Sequence, residues 1–259
     1  MNRHARMSAL LDLMGEAGHV DVQAIARQLD VSPSTIRRDL NYLHDQQLVT
    51  RTRGGAVATT ISYDLPIRYR SAGRRSDKAR IGEAAAALVA PTDIVGLNGG
   101  TTTTEVARAL ATREWAEEIV QPLTIVTNAI NIAGELTVRR HVKLVMTGGV
   151  ARPQAFELTG PLAFDTLSQI DLDWAILGVD ALDPTSGARA SDEEEGQINR
   201  LMAKRARSVV IVADSSKLSA RAFALICPVA DIDYLVTDSS APPEVVRSLR
   251  DSGVQVLLA

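Results

Sequence analysis

Apolar residues near the start of the chain recur with a helical period and then switch to alternation. Met7, Leu10, Leu11 and Met14 share one face of a helix predicted over residues 2–17, closed by Gly15 and Gly18. A second, short helix over 22–29 turns Ile25, Ala26 and Leu29 inward. The turn Asp30-Val31-Ser32 leads into a third helix from Pro33 to about Asp45. Ser32 suits its N-cap, and Pro33 suits the first helical position, where the missing N–H costs nothing. Leu48 to Arg53 then alternates like a strand, Gly54-Gly55 supplies a tight turn, and Ala56-Val57-Ala58 returns as a second strand. The spacing predicts a winged helix-turn-helix over 1–58.

Residues 59–77, with Pro66, Gly73 and several arginines, lack apolar periodicity and read as a linker. From Lys78 a helix is expected to Val89. Seven short apolar runs follow, separated by amphipathic stretches: Ile94–Leu97, Leu123–Val126, Lys143–Met146, Trp174–Val179, Val209–Val212, Tyr234–Val236 and Val254–Leu258. This alternation predicts a mostly parallel sheet with helices on both faces over 78–259. The fold class is α/β: an N-terminal winged helix-turn-helix plus a larger Rossmann-like effector domain.

Charge sharpens the division. The net charge is only −3, yet residues 1–80 hold 13 Lys/Arg against 8 Asp/Glu, and residues 81–259 hold 15 against 23. A basic first part suits a module that meets phosphates. At 3% aromatic content, few side chains could stack on splayed RNA bases. Cys227 is the only cysteine and the His residues lack ligand spacing, so neither disulfide, metal nor cofactor is expected. No run reaches the roughly 18 apolar residues of a membrane span, and Met1 to Ser8 is not followed by a signal-peptide core. A cytoplasmic protein with no membrane partner is expected.

The third helix carries the first candidate chemistry. A recognition helix enters the major groove by its N-terminal residues, which here are Ser32, Ser34, Thr35, Arg37 and Arg38. Arginine bonds guanine bidentately, while hydroxyls and helix N–H groups hold phosphates. Arg51 and Arg53 on the wing reach for an adjacent groove or backbone. A solvated, charged helical surface is the plain alternative, but short helix, tight turn, capped helix and hairpin together favour double-stranded DNA.

The second candidate lies after Ile94–Leu97, where Asn98, Gly99, Gly100, Thr101, Thr102 and Thr103 open a helix. Glycines at a strand-to-helix turn admit an anion, and helix N–H groups with threonine hydroxyls can cradle a phosphate. Simple helix capping by the threonines is the alternative. Thr127-Asn128, Gly149 with Arg152, Asp180, Asp214 and Lys217 follow other strands at their carboxyl ends, where open parallel sheets bind ligands, and Glu195 opens a helix. Structural roles fit these too: Asn128 as a cap, Asp180 and Asp214 as turn formers, Glu195 as a helix-dipole charge.

Ser-Thr-Ile-Arg-Arg-Asp-Leu at 34–40 with Arg-Thr-Arg-Gly-Gly-Ala at 51–56 resembles the signature of the DeoR family of bacterial sugar-metabolism regulators, and the resemblance runs along essentially the whole chain. It implies an effector domain similar in fold to ribose-5-phosphate isomerase that binds phosphorylated sugars. On that resemblance Asn98-Gly-Gly-Thr-Thr-Thr matches the phosphate loop and Asp214-Ser-Ser-Lys217 the C-terminal Asp-x-x-Lys pattern. Lys78 matches a family lysine tied to the inducer response, and Arg70 matches an upstream basic position. The chain departs from the family at His44, Gln47 and Arg53 around the wing, at Asn98, where Asp is common, and at Glu157, where a small residue is usual.

The expected function is a transcription regulator, a repressor of carbohydrate genes controlled by a phosphorylated sugar and working as a homodimer or homotetramer on operator DNA. The competing reading is a sugar-phosphate isomerase-like enzyme, for which Glu195, Asp180 and Asp214 are the acidic candidates.

Overall fold

The structure of the protein is a computed structural model that describes residues 6–7, 9–10, 13–14, 19–45, 49–58, 75–113, 122–152 and 155–259. The chain forms two units, Met1–Arg75 and Ser76–Ala259.

In the first unit, Arg6, Met7, Ala9, Leu10, Leu13 and Met14 are helical. β1 (His19–Asp21) runs into α1 (Val22–Gln28), and α2 (Pro33–Asp45) follows after a turn. Asp21 caps α1 by accepting the N–H groups of Gln23 and Ala24, each at 2.9 Å. Ser32 caps α2, its Oγ accepting the Thr35 N–H at 3.2 Å. β2 (Val49–Thr52) and β3 (Gly55–Ala58) form the expected hairpin. β1 adds to β3, completing a three-stranded antiparallel sheet in the order β1-β3-β2. The sequence pattern did not reveal β1, whose three residues, with Val20 buried between two exposed ones, are too few to display a period. Leu10, Met14, Ile36, Leu40 and Leu43 are fully buried in the core of this unit, with Val22, Ile25 and Ala56 around them. Asp39 is buried as well, and the Arg6 guanidinium meets its charge at 2.5 Å.

The second unit opens with α3 (Arg75–Ala86), which starts before the expected Lys78 and stops short of Val89. The seven apolar runs become β4 (Ile94–Leu97), β5 (Leu123–Thr127), β6 (Val142–Met146), β9 (Leu172–Gly178), β12 (Ala206–Val212), β14 (Tyr234–Thr237) and β15 (Gln255–Leu258). They form one parallel sheet in the order β15-β14-β12-β9-β4-β5-β6. Ile81 of α3, Val106 of α4 (Thr101–Thr112) and Ile132 of α5 (Ile130–Leu136) pack with Leu97, Ile125 and Ile176 on one face. Leu167 of α6 (Pro161–Ser168), Met202 of α7 (Glu193–Lys204) and Leu249 of α8 (Pro243–Asp251) pack with Leu177 and Ile211 on the other. Burial on both faces is why these strands read as continuous apolar runs. Two small sheets have no such signature: β7 (Val150–Arg152) with β8 (Glu157–Thr159), and β10 (Ala181–Asp183) with β11 (Gly187–Ala190) and β13 (Ala224–Cys227). Burial pushes the Cys227 thiol up to about 12, so the lone cysteine is packing rather than a nucleophile.

The chain moves outward from β4 through β5 to β6, then places β9 on the other edge of β4 and continues through β12, β14 and β15. Strand order reverses between β4 and β9. In an open parallel sheet this reversal opens a crevice at the carboxyl ends, the usual ligand position.

Candidate functional site

Beyond Leu97 the chain turns through Asn98-Gly99-Gly100 into α4, beside the end of β9. Asn98 is fully buried, and both ends of its amide engage Gly178. Nδ2 donates to the Gly178 carbonyl at 3.0 Å, and the Gly178 N–H donates to Oδ1 at 2.8 Å. The amide ties β4 to β9 at the switch point and so shapes the crevice. Gly100, at φ 152°, is the N-cap of α4 and supplies no side-chain bond to the first turn. Those N–H groups and the helix dipole together favour an anion. Thr103 and Thr104 turn their hydroxyls back to the Gly100 carbonyl at 3.1 and 2.6 Å, steadying the turn, while Thr101 is half-buried and Thr102 buried.

Gly99 passes close to β8, where a Cβ would lie 2.4 Å from Cγ of Glu157. Its N–H donates to Oε1 of Glu157 at 2.5 Å. Glu157 is wholly buried, and among the described residues its Oε2 has no geometric hydrogen-bond partner. Burial pushes this carboxyl up to about 7, opposed by the Gly99 N–H, the Arg152 guanidinium and the Asn128 amide and reinforced by the Asp180 charge. Asn128, also fully buried, donates from Nδ2 to the Leu158 carbonyl at 3.3 Å and leaves Oδ1 without a partner. The Thr127 hydroxyl donates to the Leu97 carbonyl at 2.6 Å and accepts the Ala129 N–H at 3.0 Å, linking β5 to β4.

The remaining candidates stand on neighbouring loops. Gly149 has φ 121° and passes so close to Thr159 that a Cβ would lie 2.5 Å from its carbonyl oxygen. Arg152 reaches from β7 to the start of α7, placing Nη1 2.8 Å from Asp192 and 3.5 Å from Glu195. Asp192 caps α7, accepting the N–H groups of Glu194 and Glu195 at 3.0 Å each. Asp180 accepts the Ser191 N–H at 2.8 Å, a loop-forming role. Asp214 accepts the Ser216 N–H at 3.0 Å and lies 3.8 Å from Nζ of Lys78, so two residues far apart in sequence meet. Lys217 is half-buried and ends the 3-10 turn Ser215–Lys217. Arg70 lies outside the described residues. Asp192 and Glu157 carry contacts that sequence reasoning had not assigned. Glu157 had been noted only as a departure, and its partner Gly99 is 58 residues away, beyond any local signal. Among the described residues, no three His, Cys, Asp or Glu side chains form a metal-binding group.

In the first unit, Ser34, Arg37 and Arg38 are exposed along α2, with Thr35 half-buried. Ser32 Oγ bonds the Ser34 hydroxyl at 2.8 Å and the Thr35 hydroxyl at 2.9 Å, a hydroxyl cluster at the helix start. Arg51 donates from Nη1 to the Gly55 carbonyl at 2.9 Å, bracing the hairpin, while Arg53 is exposed at its tip. His44 Nδ1 bonds with the Val49 carbonyl at 3.0 Å, tying α2 to β2.

Residues 6–62 match the DeoR-like helix-turn-helix domain, and residues 74–239 match the DeoR C terminal sensor domain. The chain belongs to the DeoR family. As a member it is a DNA-binding transcription regulator rather than an enzyme. It is 33% identical over 98% of its length to a putative aga operon transcriptional repressor of Escherichia coli O157:H7, covering 93% of that protein. It is 30% identical, over 100% of both chains, to the glycerol-3-phosphate regulon repressor of Escherichia coli K12. Among solved structures, ribose 5-phosphate isomerase A from Methanocaldococcus jannaschii is 19% identical, over 56% of this chain and 55% of that one, with a TM-score of 0.42. No described helix is long and apolar enough to cross a membrane.

Proposed function

We propose that the protein is a repressor of carbohydrate-metabolism genes that a phosphorylated sugar or sugar derivative controls. The observation that carries this reading is the Asn98-Gly99-Gly100 turn, which presents the uncapped start of α4 at the switch point of a sensor-domain sheet. The phosphate sits at the Gly99 to Thr103 end of that helix. Asn128, Arg152, Glu195, Asp214 and Lys217 border the sugar, with Lys78 beside Asp214. The exposed Ser34, Arg37 and Arg38 read an operator half-site, and a homodimer or homotetramer reads paired half-sites. Control requires the effector to favour one conformation over the other, because equal affinity shifts nothing.

A thermal-shift screen of phosphorylated sugars, followed by operator release with each stabilising compound, tests the proposal. Stabilisation with release supports it. A hit that leaves operator binding unchanged removes the control step, and a panel without a hit removes the sensor assignment.

A further inference from the structure

Among the described residues, Glu157 is the carboxylate bonded to the turn where the anion is to sit. Its Oε1 already takes the Gly99 N–H at 2.5 Å, one position before the N-cap of α4. The side chain is wholly buried, and among the described residues Oε2 has no geometric hydrogen-bond partner. A phosphate brought to the first turn of α4 therefore lies next to a buried carboxyl already bonded to the turn. Two anions in such a place repel strongly, since burial weakens screening.

Resting on the sensor reading, we infer that effector binding is linked to protonation of Glu157, which enters the complex as the neutral acid. Oε1 keeps the Gly99 N–H, and the proton on the carboxyl removes the charge that would repel the bound phosphate ester. No covalent bond changes; one proton is taken from solvent with each ligand bound. Charged groups around Glu157 act in both directions. Arg152 on β7 favours the ionised form, but Asp192 and Glu195 at the start of α7 engage that guanidinium. Asp180, beyond β9, favours the neutral form, and Glu194 comes in from α7 to accept the Thr159 hydroxyl at 2.8 Å. The carboxyl is already held up to about 7, so about half of it is protonated at neutral pH. Bringing a phosphate close raises it further.

The site then binds phosphate esters more weakly in alkali, where the Glu157 carboxyl must ionise. A phosphate monoester loses its second proton near pH 6, so above about pH 7.5 the ester's charge is constant. In that window wild-type affinity falls by up to about tenfold per pH unit, the limit for one linked proton.

The test uses the full chain, with hexose 6-phosphates as probes. Titration calorimetry in buffers of different ionisation enthalpy reads proton uptake directly on the wild type, and uptake approaching one proton per site is expected at about pH 8. Glu157→Gln keeps an acceptor and a donor without a charge. It is expected to bind the same probe with an affinity that stays flat between about pH 7.5 and 9. Binding without proton uptake by the wild type overturns the inference while leaving the sensor reading intact. A Glu157→Gln protein that retains the wild-type pH slope does the same. If no probe binds, the sensor reading falls and this inference with it. Should the variant not fold, proton uptake by the wild type decides alone.

Discussion

Asn98 and Gly178 hold each other by a reciprocal pair of hydrogen bonds, at 3.0 and 2.8 Å, across the point where strand order reverses. The two residues are 80 positions apart in sequence, yet together they fix the width of the crevice. Asn98→Ala strips both partners from buried backbone groups and is expected to cost about 3 kcal/mol. Urea unfolding measures this, and a loss below about 1 kcal/mol means the clamp is not needed.

Arg37 stands exposed on α2, away from the core that Ile36 and Leu40 form. Arg37→Ala is expected to weaken operator binding by about 1–3 kcal/mol, with relaxed preference at one base pair, while the unfolding midpoint stays put. Unchanged operator affinity removes Arg37 from the reading set.

Gly55 lies against β1, where a Cβ would come 1.9 Å from the Val20 carbonyl oxygen. Gly55→Ala must push β1 away from β3, at a cost of about 2 kcal/mol. Operator binding should suffer while stabilisation by sugar phosphates persists. Equal loss of both activities contradicts the separate roles assigned to the two units.

Lys217 closes the turn that Asp214 caps, half-buried beyond the end of β12. Lys217→Ala is expected to leave operator binding intact and to raise the effector concentration needed for release by about tenfold, the value of one charge-assisted hydrogen bond. A normal release curve excludes this lysine from the site.

Glu157 also leaves a mark on stability without ligand. Its carboxyl is held up to about 7 when folded, against the ordinary value of 4.5 when unfolded. Between these values the folded state holds more protons, so this group contributes a loss of stability as pH rises from about 4.5 to about 7 and none beyond. The shift corresponds to about 3 kcal/mol. Measured as the difference between wild type and Glu157→Gln, that loss should appear in unfolding midpoints taken from pH 5 to 8. A difference that does not vary with pH shows that the carboxyl is not held up in the folded state.

The sequence by itself determined what local and periodic interactions control. Ser32 at the cap, Pro33 after it and the alternation through Arg53 specify α2 and the hairpin, because a helix start and a tight turn are decided within a few residues. The seven apolar runs specify the strands of the large sheet, because a strand covered on both faces must be apolar along its length. The DeoR signature at 34–40 and 51–56 lies in these same local segments. Only the tertiary structure decided what the candidate site residues do. Asn98 turned inward to Gly178, Arg51 braced its own hairpin, and Lys78 met Asp214. The short strands β7 and β8, with too few residues to display a period, brought Glu157 against Gly99. Such contacts join residues dozens of positions apart, and burial then sets the proton affinity of the carboxyl they enclose. No spacing along the chain encodes that, because it arises from what surrounds Glu157 in space.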